Sequence, residues 1–391
     1  MKNDQNNILL NEPFLTGNEK SYLLDCINSN WISTSGYYVN KFEQEVANYV
    51  DSRYAIACSS GTAALHIALK VLGISNNDEV IVPTVTFIAT INAIRYNNAS
   101  PVFLDVDNFY NIDVTKFIKF IDNQTYYKDG FTYNKSTNNK IKAVLPVHVW
   151  GNAVDLNKII KICKEKNIKI IEDASESLGS KYNSGPLKNK YTGTIGDIGC
   201  FSFNGNKIIT AGGGGMIVTN DKLLAEKSIY FTSQAKDDHL NFIHDEIGYN
   251  YRLTNLHAAV GLAQIEKVNE ILIRKEEIFN FYLEFFSNND KISLVPRPDY
   301  ATNNHWLNII RFKNFNYLDL KKIITYLNEN CIQVRPIWQL NHLQKPYKND
   351  EFFDIVNATK LIENSLCLPS SPGMSNDDLK RVCETINTYC I

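Results

Sequence analysis

The chain has 391 residues, which is too long for one small core and predicts a large domain joined to a smaller one, or two domains of equal size. Its 40 lysines and arginines stand against 42 aspartates and glutamates, and the sequence contains no basic patch. This balance argues against binding to nucleic acid or to an anionic membrane, so a small molecule is the expected partner.

The first residues, Met1 to Asn7, lack the apolar core of a signal peptide. No stretch of the sequence approaches the roughly 18 uninterrupted apolar residues of a membrane-spanning helix, and we therefore expect a cytoplasmic protein. The eight cysteines are scattered, without a C-x-x-C pair or a Cys/His cluster of zinc-site spacing. They are predicted to be reduced thiols, mostly in the core, and no metal site is expected.

Short β-branched runs alternate with helical patterns between Tyr54 and Asn220, which predicts βαβ units and a mainly parallel sheet. In chain order, the pattern predicts a strand over Tyr54–Cys58 and a helix over Gly61–Leu72, a strand over Glu79–Val82 and a helix over Thr86–Tyr96, a strand over Pro101–Val106, a strand over Lys142–Val147 and a helix over Asp155–Lys166, and a strand over Ile168–Glu172. Ligands of such sheets bind beyond the carboxyl ends of the strands. The first functional candidates are therefore the residues that follow strands, namely Ser59–Thr62, Phe87, His148 and Asp173.

Two later segments depart from this alternation. Thr125–Lys140 has no period and is predicted to be a surface insertion, with a role as a lid left open. A long helical pattern then covers Thr254–Phe286, and the chain changes character at Ser293. We place the domain boundary within this helix, which gives a large domain over residues 1–265 and a smaller C-terminal α+β domain over residues 266–391.

A lysine and an acid stand where the chemistry of pyridoxal 5'-phosphate (PLP) needs them. Lys207 ends the run Phe201–Lys207 and precedes the glycines Gly212–Gly215, while Asp173 ends an apolar strand-like run. PLP requires an amine that forms a Schiff base with its aldehyde and a carboxylate that keeps its pyridine nitrogen protonated. Taken singly, Asp173 is equally typical of a helix N-cap, and Lys207 of a solvated surface lysine.

Other residues are of types suited to binding a phosphate and to stacking on an aromatic ring. Gly61 and Thr62 lie between a strand and a helix, where free N–H groups and the helix dipole favour a phosphate, although an ordinary N-cap gives the same pattern. Ser202 offers a hydroxyl to the same phosphate, with a half-buried strand serine as the alternative. Phe87 is placed to stack on a pyridine ring, although a buried core position is the commoner fate of phenylalanine.

Together these motifs resemble the nucleotide-sugar aminotransferases of the DegT/DnrJ/EryC1/StrS family. The resemblance rests on the order and spacing of Ser59–Thr62, Glu172–Glu176, Phe201–Lys207 and Gly248–Arg252, and covers nearly the whole chain. It implies an α/β, fold type I PLP-dependent transferase, with a mainly parallel sheet of the seven-stranded type in the large domain and a smaller C-terminal α+β domain. It also implies a homodimer whose active sites lie at the subunit interface.

The resemblance assigns the cofactor residues. They would be Gly61, Thr62 and Ser202 at the phosphate, Phe87 against the ring, Asp173 at the pyridine nitrogen, Lys207 at the aldehyde, Glu176 near the ring hydroxyl and, from the partner subunit, Asn250. Glu176 occupies a place often held by glutamine. A carboxylate beside a phenolate should have a raised pKa.

Within the family, the chain looks most similar to enzymes of legionaminic-acid and related bacterial surface-glycan pathways in the segments Leu10–Pro13, Gly17–Lys20, Trp31–Gly36 and Asn304–Asn308. This implies transfer of an amino group from glutamate to a UDP-linked 4-keto-6-deoxy-N-acetylhexosamine, with 3-keto sugars and GDP- or dTDP-linked sugars as alternatives. The candidate substrate contacts are His305, Trp306, Arg335 and Trp338, for which a core tryptophan or a surface arginine is an equal alternative. Gly213 departs from the family, in which an acidic residue often stands at that place.

Two other functions agree less well with these residues. A sugar dehydratase of the same fold commonly carries histidine in place of the lysine, so Lys207 argues against it. A catalytically idle binding or regulatory homologue is opposed by the intact pair of Asp173 and Lys207.

Overall fold

Two β-sheets with helices packed around them make up the computed structural model, which describes residues 7–238 and 240–390. The first six residues lie outside the described part, and they include most of the segment Met1 to Asn7 on which the expectation about a signal peptide rests. The helices are α1 Glu19–Asn28, α2 Tyr37–Val50, α3 Gly61–Val71, α4 Ile88–Tyr96, α5 Val114–Gln124, α6 Leu156–Lys166, α7 Lys222–Thr232, α8 Asn255–Ile265, α9 Val268–Phe286, α10 Tyr317–Glu329, α11 Asn357–Asn364 and α12 Asn376–Cys390.

The strands are β1 Tyr54–Cys58, β2 Asp78–Pro83, β3 Ser100–Leu104, β4 Thr125–Lys128, β5 Phe131–Asn134, β6 Lys140–Val144, β7 Lys169–Asp173, β8 Ile198–Ser202, β9 Gly215–Thr219, β10 Ile292–Leu294, β11 Asn308–Phe312, β12 Arg335–Pro336, β13 Glu351–Phe353 and β14 Ser365–Leu368. No helix of the described residues is both long and apolar enough to cross a membrane.

The large sheet has the strand order β1-β9-β8-β7-β6-β2-β3-β13, with the hairpin β4–β5 attached to β6. Strands β8, β7, β6, β2, β3 and β13 pair in parallel, whereas β9 runs antiparallel to both β8 and β1. The α/β fold and the mainly parallel sheet are thus confirmed. The sheet has ten strands where the seven-stranded type was expected, because β13 extends it at β3 and the hairpin extends it at β6.

The central strands are buried on both faces, as expected where helices cover both sides of a parallel sheet. Every residue of β2 and of β9 is buried. Strand β1 has the predicted bounds, and α4 begins at Ile88, two residues later than predicted, because Phe87 is the extended N-cap residue. The carboxyl ends of β1, β2, β7 and β8 lie at one edge of the sheet.

The segment Thr125–Lys140 is an ordered hairpin at the other edge. Tyr133 of β5 pairs with Lys140, the first residue of β6, and Asn167, just before β7, donates a hydrogen bond to the Gly130 carbonyl at the hairpin turn. Because the hairpin packs on the amino-terminal ends of the strands, it does not form a lid over the carboxyl edge of its own chain.

The long helical pattern over Thr254–Phe286 is interrupted. Helix α8 ends at Ile265 and α9 begins at Val268. Beyond the break, a second sheet of order β10-β11-β14-β12 packs with α9, α10 and α12 around its own hydrophobic cluster, while β13 returns to the edge of the large sheet. The C-terminal segment therefore contributes to both sheets, and a domain boundary between residues 265 and 266 stays a prediction.

Candidate active site

An open cavity of about 380 Å³ lies at the carboxyl edge of the large sheet. Nine of the residues named from the sequence line it. They are Gly61, Thr62, Phe87, Asp173, Glu176, Ser202, Lys207, Trp306 and Trp338. The fold thus gathers side chains from β7, β8, two helix starts and the C-terminal segment into one site.

The start of α3 provides the expected phosphate position. Ser60 caps the helix, since its Oγ accepts a hydrogen bond from the Ala63 N–H at 3.0 Å. The first-turn N–H groups of Gly61 and Thr62 have no partner within a helix, and both residues line the cavity. A Cβ on Gly61 would lie 2.8 Å from the Ser202 Cβ, so glycine permits the close approach of α3 to β8. The N-cap and the anion cradle are therefore compatible functions of one motif.

Asp173 presents a fixed carboxylate to the cavity. It is 3% exposed, and no helix begins at this residue, which excludes the N-cap alternative. Its Oδ2 accepts from the Thr90 Oγ1 at 2.7 Å, and its Oδ1 accepts from the Ser175 N–H at 3.0 Å. Each carboxylate oxygen has two lone pairs, so the group can still accept a further N–H from a ligand.

Lys207 lies between a carboxylate and an indole. Its Nζ is 3.6 Å from the Glu176 Oε1 and 3.8 Å from the centroid of the Trp306 ring. The other carboxylate oxygen of Glu176 accepts a hydrogen bond from the Trp150 N–H at 2.8 Å, which fixes the carboxylate beside the amine. The lysine is thus held by an ion pair and a cation–π contact rather than by solvent.

Burial shifts the pKa values of both partners towards their neutral forms. It raises the pKa of Glu176 to about 7, although the positive charge of Lys207 opposes this shift. It also lowers the pKa of Lys207, against the opposing charge of Glu176. The expected rise at Glu176 is present, with desolvation rather than a phenolate as its cause. A lysine with a lowered pKa has more of the neutral, nucleophilic amine.

Aromatic side chains form one wall of the cavity. Trp338 stacks on the buried Trp150 at 4.9 Å between ring centroids, and Trp306 lies 6.5 Å from Trp338. Phe87 contacts Trp338 edge-on and is 53% exposed, so it does not occupy the core position that was the alternative for this residue. An exposed ring at the rim of the cavity is available to a planar ligand.

The glycine tract both turns the chain and approaches the site. Gly213 and Gly214 line the cavity, and Gly212 has a left-handed φ of 77°. A Cβ on Gly215 would lie 2.4 Å from the Ser60 carbonyl oxygen. The tract therefore lets β9 pass close to the start of α3.

Three of the candidates lie outside the lining of this cavity. His305 is buried with its Nε2 2.9 Å from the Glu276 Oε2 and its ring stacked on Phe279, while Arg335 is exposed on β12. Neither residue lines this cavity, and their contact with a substrate stays a prediction. Asn250 is exposed and forms an isolated antiparallel β-bridge with Ser233. Its contribution to the active site of a partner subunit stays a prediction.

Other residues of the site were not named from the sequence. Thr90 positions Asp173, Trp150 positions Glu176, and Asn206 accepts hydrogen bonds at the peptide that leads into Lys207. Trp150 follows the end of β6 closely, which is a usable signal, but its left-handed φ of 52° is not readable from the sequence. No local pattern marks Thr90, which lies within the first turn of α4.

Comparisons with known proteins agree with this geometry. The sequence model of the DegT/DnrJ/EryC1/StrS aminotransferase family matches residues 13–387. The chain is 38% identical to GDP-perosamine synthase of Escherichia coli O157:H7, with 97% of each chain covered. It is 31% identical to the UDP-4-amino-4,6-dideoxy-N-acetyl-beta-L-altrosamine transaminase of Campylobacter jejuni, with 91% of this chain and 90% of that one covered. Among solved structures, a DegT DnrJ EryC1 StrS aminotransferase from Brucella abortus superposes with a TM-score of 0.85 at 26% identity, covering 95% of each chain.

Proposed function

Because the chain belongs to the DegT/DnrJ/EryC1/StrS aminotransferase family, it is a PLP-dependent sugar aminotransferase, and we propose that it transfers the amino group of glutamate to a GDP-linked 4-keto-6-deoxy sugar. The nucleotide is proposed from the higher identity to a GDP-sugar enzyme, 38%, than to a UDP-sugar enzyme, 31%. A GDP-linked substrate therefore replaces the UDP-linked sugar that was expected from the resemblance to legionaminic-acid enzymes.

Two of the segments that favoured the UDP-linked sugar, Leu10–Pro13 and Asn304–Asn308, contain residues that hold other residues of the proposed cofactor site in place. Asn304 donates to the Glu176 and Leu178 carbonyls, and both Asn11 and Trp306 donate to the Asn206 carbonyl. Residues that hold Glu176 and the loop of Lys207 would be needed whichever nucleotide the substrate carries. Their resemblance to one subfamily therefore does not indicate which nucleotide sugar is the substrate.

One observation carries the proposal, namely that the Lys207 amine and the Asp173 carboxylate line the same cavity as the start of α3. PLP, when bound, supplies an electron sink for negative charge that develops at a substrate carbon. The Gly61 and Thr62 N–H groups and the Ser202 hydroxyl would hold its phosphate. Asp173, oriented by Thr90, would keep its ring nitrogen protonated.

Lys207 has two functions in this proposal. Its Nζ would hold the cofactor covalently in the resting enzyme, and it would then carry a proton at one face of the substrate. Burial favours the neutral amine that both functions need. When the amine is protonated, Glu176, which lies 3.6 Å away, stabilises its positive charge. Glutamate and the keto sugar would occupy the same cavity in turn.

We also propose that the working enzyme is a homodimer with shared active sites. The exposed Asn250 lies outside the cavity of its own chain, and the ring of Phe87 is 53% exposed at the rim. A second copy that covers this rim would exclude water and bring the amide of Asn250 to the phosphate.

The proposal is tested by absorbance spectra of the PLP-loaded protein before and after glutamate, and then after GDP-, UDP- and dTDP-linked 4-keto-6-deoxy sugars in turn. We expect glutamate to convert the yellow cofactor to its amine form and the GDP-linked sugar to restore the yellow form fastest. NMR of the product then distinguishes amination at C4 from amination at C3. A faster recovery with the UDP- or dTDP-linked sugar would overturn the choice of nucleotide, and a spectrum unchanged by glutamate would overturn the donor.

A further inference from the structure

Lys275 is a buried cation near the active site that none of the functions above uses. It lies in α9 and is 1% exposed. Burial lowers the pKa of Lys275 to about 7, and no carboxylate among the described residues opposes this shift. A buried ammonium group without a counter-ion is unfavourable unless all its donors are satisfied.

Three acceptors from separate segments satisfy Lys275. Its Nζ donates to the Asn11 Oδ1 at 3.0 Å, to the Trp306 carbonyl at 3.0 Å and to the Ser370 carbonyl. Asn11 precedes α1, Trp306 precedes β11, and Ser370 follows β14. An ammonium group has three donors and no acceptor, so this set matches it fully.

Two of these partners converge on the loop of Lys207. The Asn11 Nδ2 and the Trp306 Nε1 both donate to the carbonyl oxygen of Asn206, which belongs to the peptide that leads into Lys207. The indole of Trp306 also lies against the Lys207 Nζ, 3.8 Å from its ring centroid. Two routes, each of two hydrogen bonds, therefore connect the Lys275 ammonium to the backbone of Lys207.

We propose that Lys275 is a positioning residue for Lys207: it fixes Asn11 and Trp306, which hold the Asn206–Lys207 peptide and the indole face in place. The inference rests on the proposed role of Lys207 as the covalent anchor of PLP, and it is independent of the sugar. An apolar side chain at residue 275 would leave an amide oxygen and two carbonyl oxygens without their common donor.

The test uses the full-length apoenzyme and follows the attachment of PLP to Lys207 by absorbance, together with the pH midpoint of the attached cofactor. The variants are Lys275→Met, which keeps the length of the side chain, and Asn11→Ala, which removes the link at a half-buried position. Arg274→Met is the matched control, since Arg274 lies on the same helix but pairs with Glu277 and the Met374 carbonyl.

We expect Lys275→Met to slow attachment about tenfold, as for the loss of a hydrogen bond to a charged group, and to shift the pH midpoint. Asn11→Ala should act in the same direction, and the double variant should lose less than the product of the two single effects, because both act through Asn206. The control should attach PLP at the wild-type rate.

A Lys275→Met protein that has a lower melting temperature but the wild-type attachment rate and pH midpoint would show a purely structural lysine and overturn the inference. If Lys275→Met does not fold, wild-type attachment by Asn11→Ala overturns it in the same way. Failure of the wild-type chain itself to attach PLP at Lys207 would instead overturn the proposed role of Lys207.

Discussion

The Nζ of Lys207 lies 3.6 Å from the Oε1 of Glu176, and the same Nζ lies 3.8 Å from the centroid of the Trp306 ring. Burial moves the pKa of the acid up and that of the amine down, while each charge partly offsets the shift of the other. The two shifts bring the pKa values of the acid and the amine closer together, which suits a lysine that must be a nucleophile and an acid in turn.

Glu176→Gln should change how stability depends on pH. The pKa of Glu176 is raised from 4.5 to about 7, so between these values the folded protein keeps a proton that the unfolded chain releases. The free energy of unfolding that this group contributes therefore falls as pH rises from 4.5 to 7. Urea unfolding at pH 5 and pH 7 should show the wild type losing stability relative to Glu176→Gln. A constant difference between the two proteins would contradict the raised pKa.

Asp173→Asn should leave the fold and the cofactor site largely intact while lowering kcat by roughly 10²- to 10⁴-fold, because an amide does not hold the ring nitrogen protonated. Asp51→Asn is a suitable control, since Asp51 lies at the surface with a side chain 77% exposed. Steady-state rates and the PLP content of both variants test whether kcat falls while the cofactor stays bound. Near-normal kcat in a PLP-loaded Asp173→Asn enzyme would remove Asp173 from the proposed mechanism.

Gly61→Ala should weaken PLP binding and destabilise the protein by about 1–3 kcal/mol, because the added Cβ would lie 2.8 Å from the Ser202 Cβ and α3 would have to move. Gly373→Ala provides the comparison, since its Cβ would meet the Phe14 ring at an ordinary 3.5 Å. Thermal unfolding with and without PLP measures both effects. Equal behaviour of the two variants would show that the approach of α3 to β8 is not needed.

Mixing two inactive variants tests the shared active site. In the proposed dimer each site takes Lys207 from one subunit and Asn250 from the other. A mixed dimer of Lys207→Ala and Asn250→Ala would therefore contain one intact site, and re-equilibrated mixtures should recover about a quarter of the wild-type activity. If Asn250 acted within its own chain, or not at all in cofactor binding, mixing would restore nothing beyond the activity of the separate variants.

The sequence was sufficient for most of the residues that follow strands, because parallel strands bring their carboxyl ends to one edge wherever they lie in the chain. His148 is the exception, since it is buried with its Nε2 2.9 Å from the Glu172 Oε2 and does not line the cavity. Gly61, Thr62 and Asp173 were identified from their positions after strands, whereas Ser202 and Lys207 were identified from the run Phe201–Lys207. The contacts that position them, such as Thr90 with Asp173 and Trp150 with Glu176, join residues 83 and 26 positions apart and have no local signature.

The features that the sequence did not reveal also have physical causes. His305 and Trp306 are neighbours, but His305 has a left-handed φ of 50° and stacks on Phe279, while Trp306 lines the cavity. The hairpin over Thr125–Lys140 has strands of four residues each, too short to establish a period of two against their polar residues. Strand β13 joins the large sheet by a pairing with β3 that spans most of the chain.

The most direct test of the account is to reduce the PLP-loaded protein with borohydride and to map the modified lysine by mass spectrometry. We predict that PLP is attached to Lys207 in the wild type and that Lys207→Ala retains no attached cofactor and no aminotransferase activity. Attachment at another lysine, or a fully active Lys207→Ala protein, would contradict it.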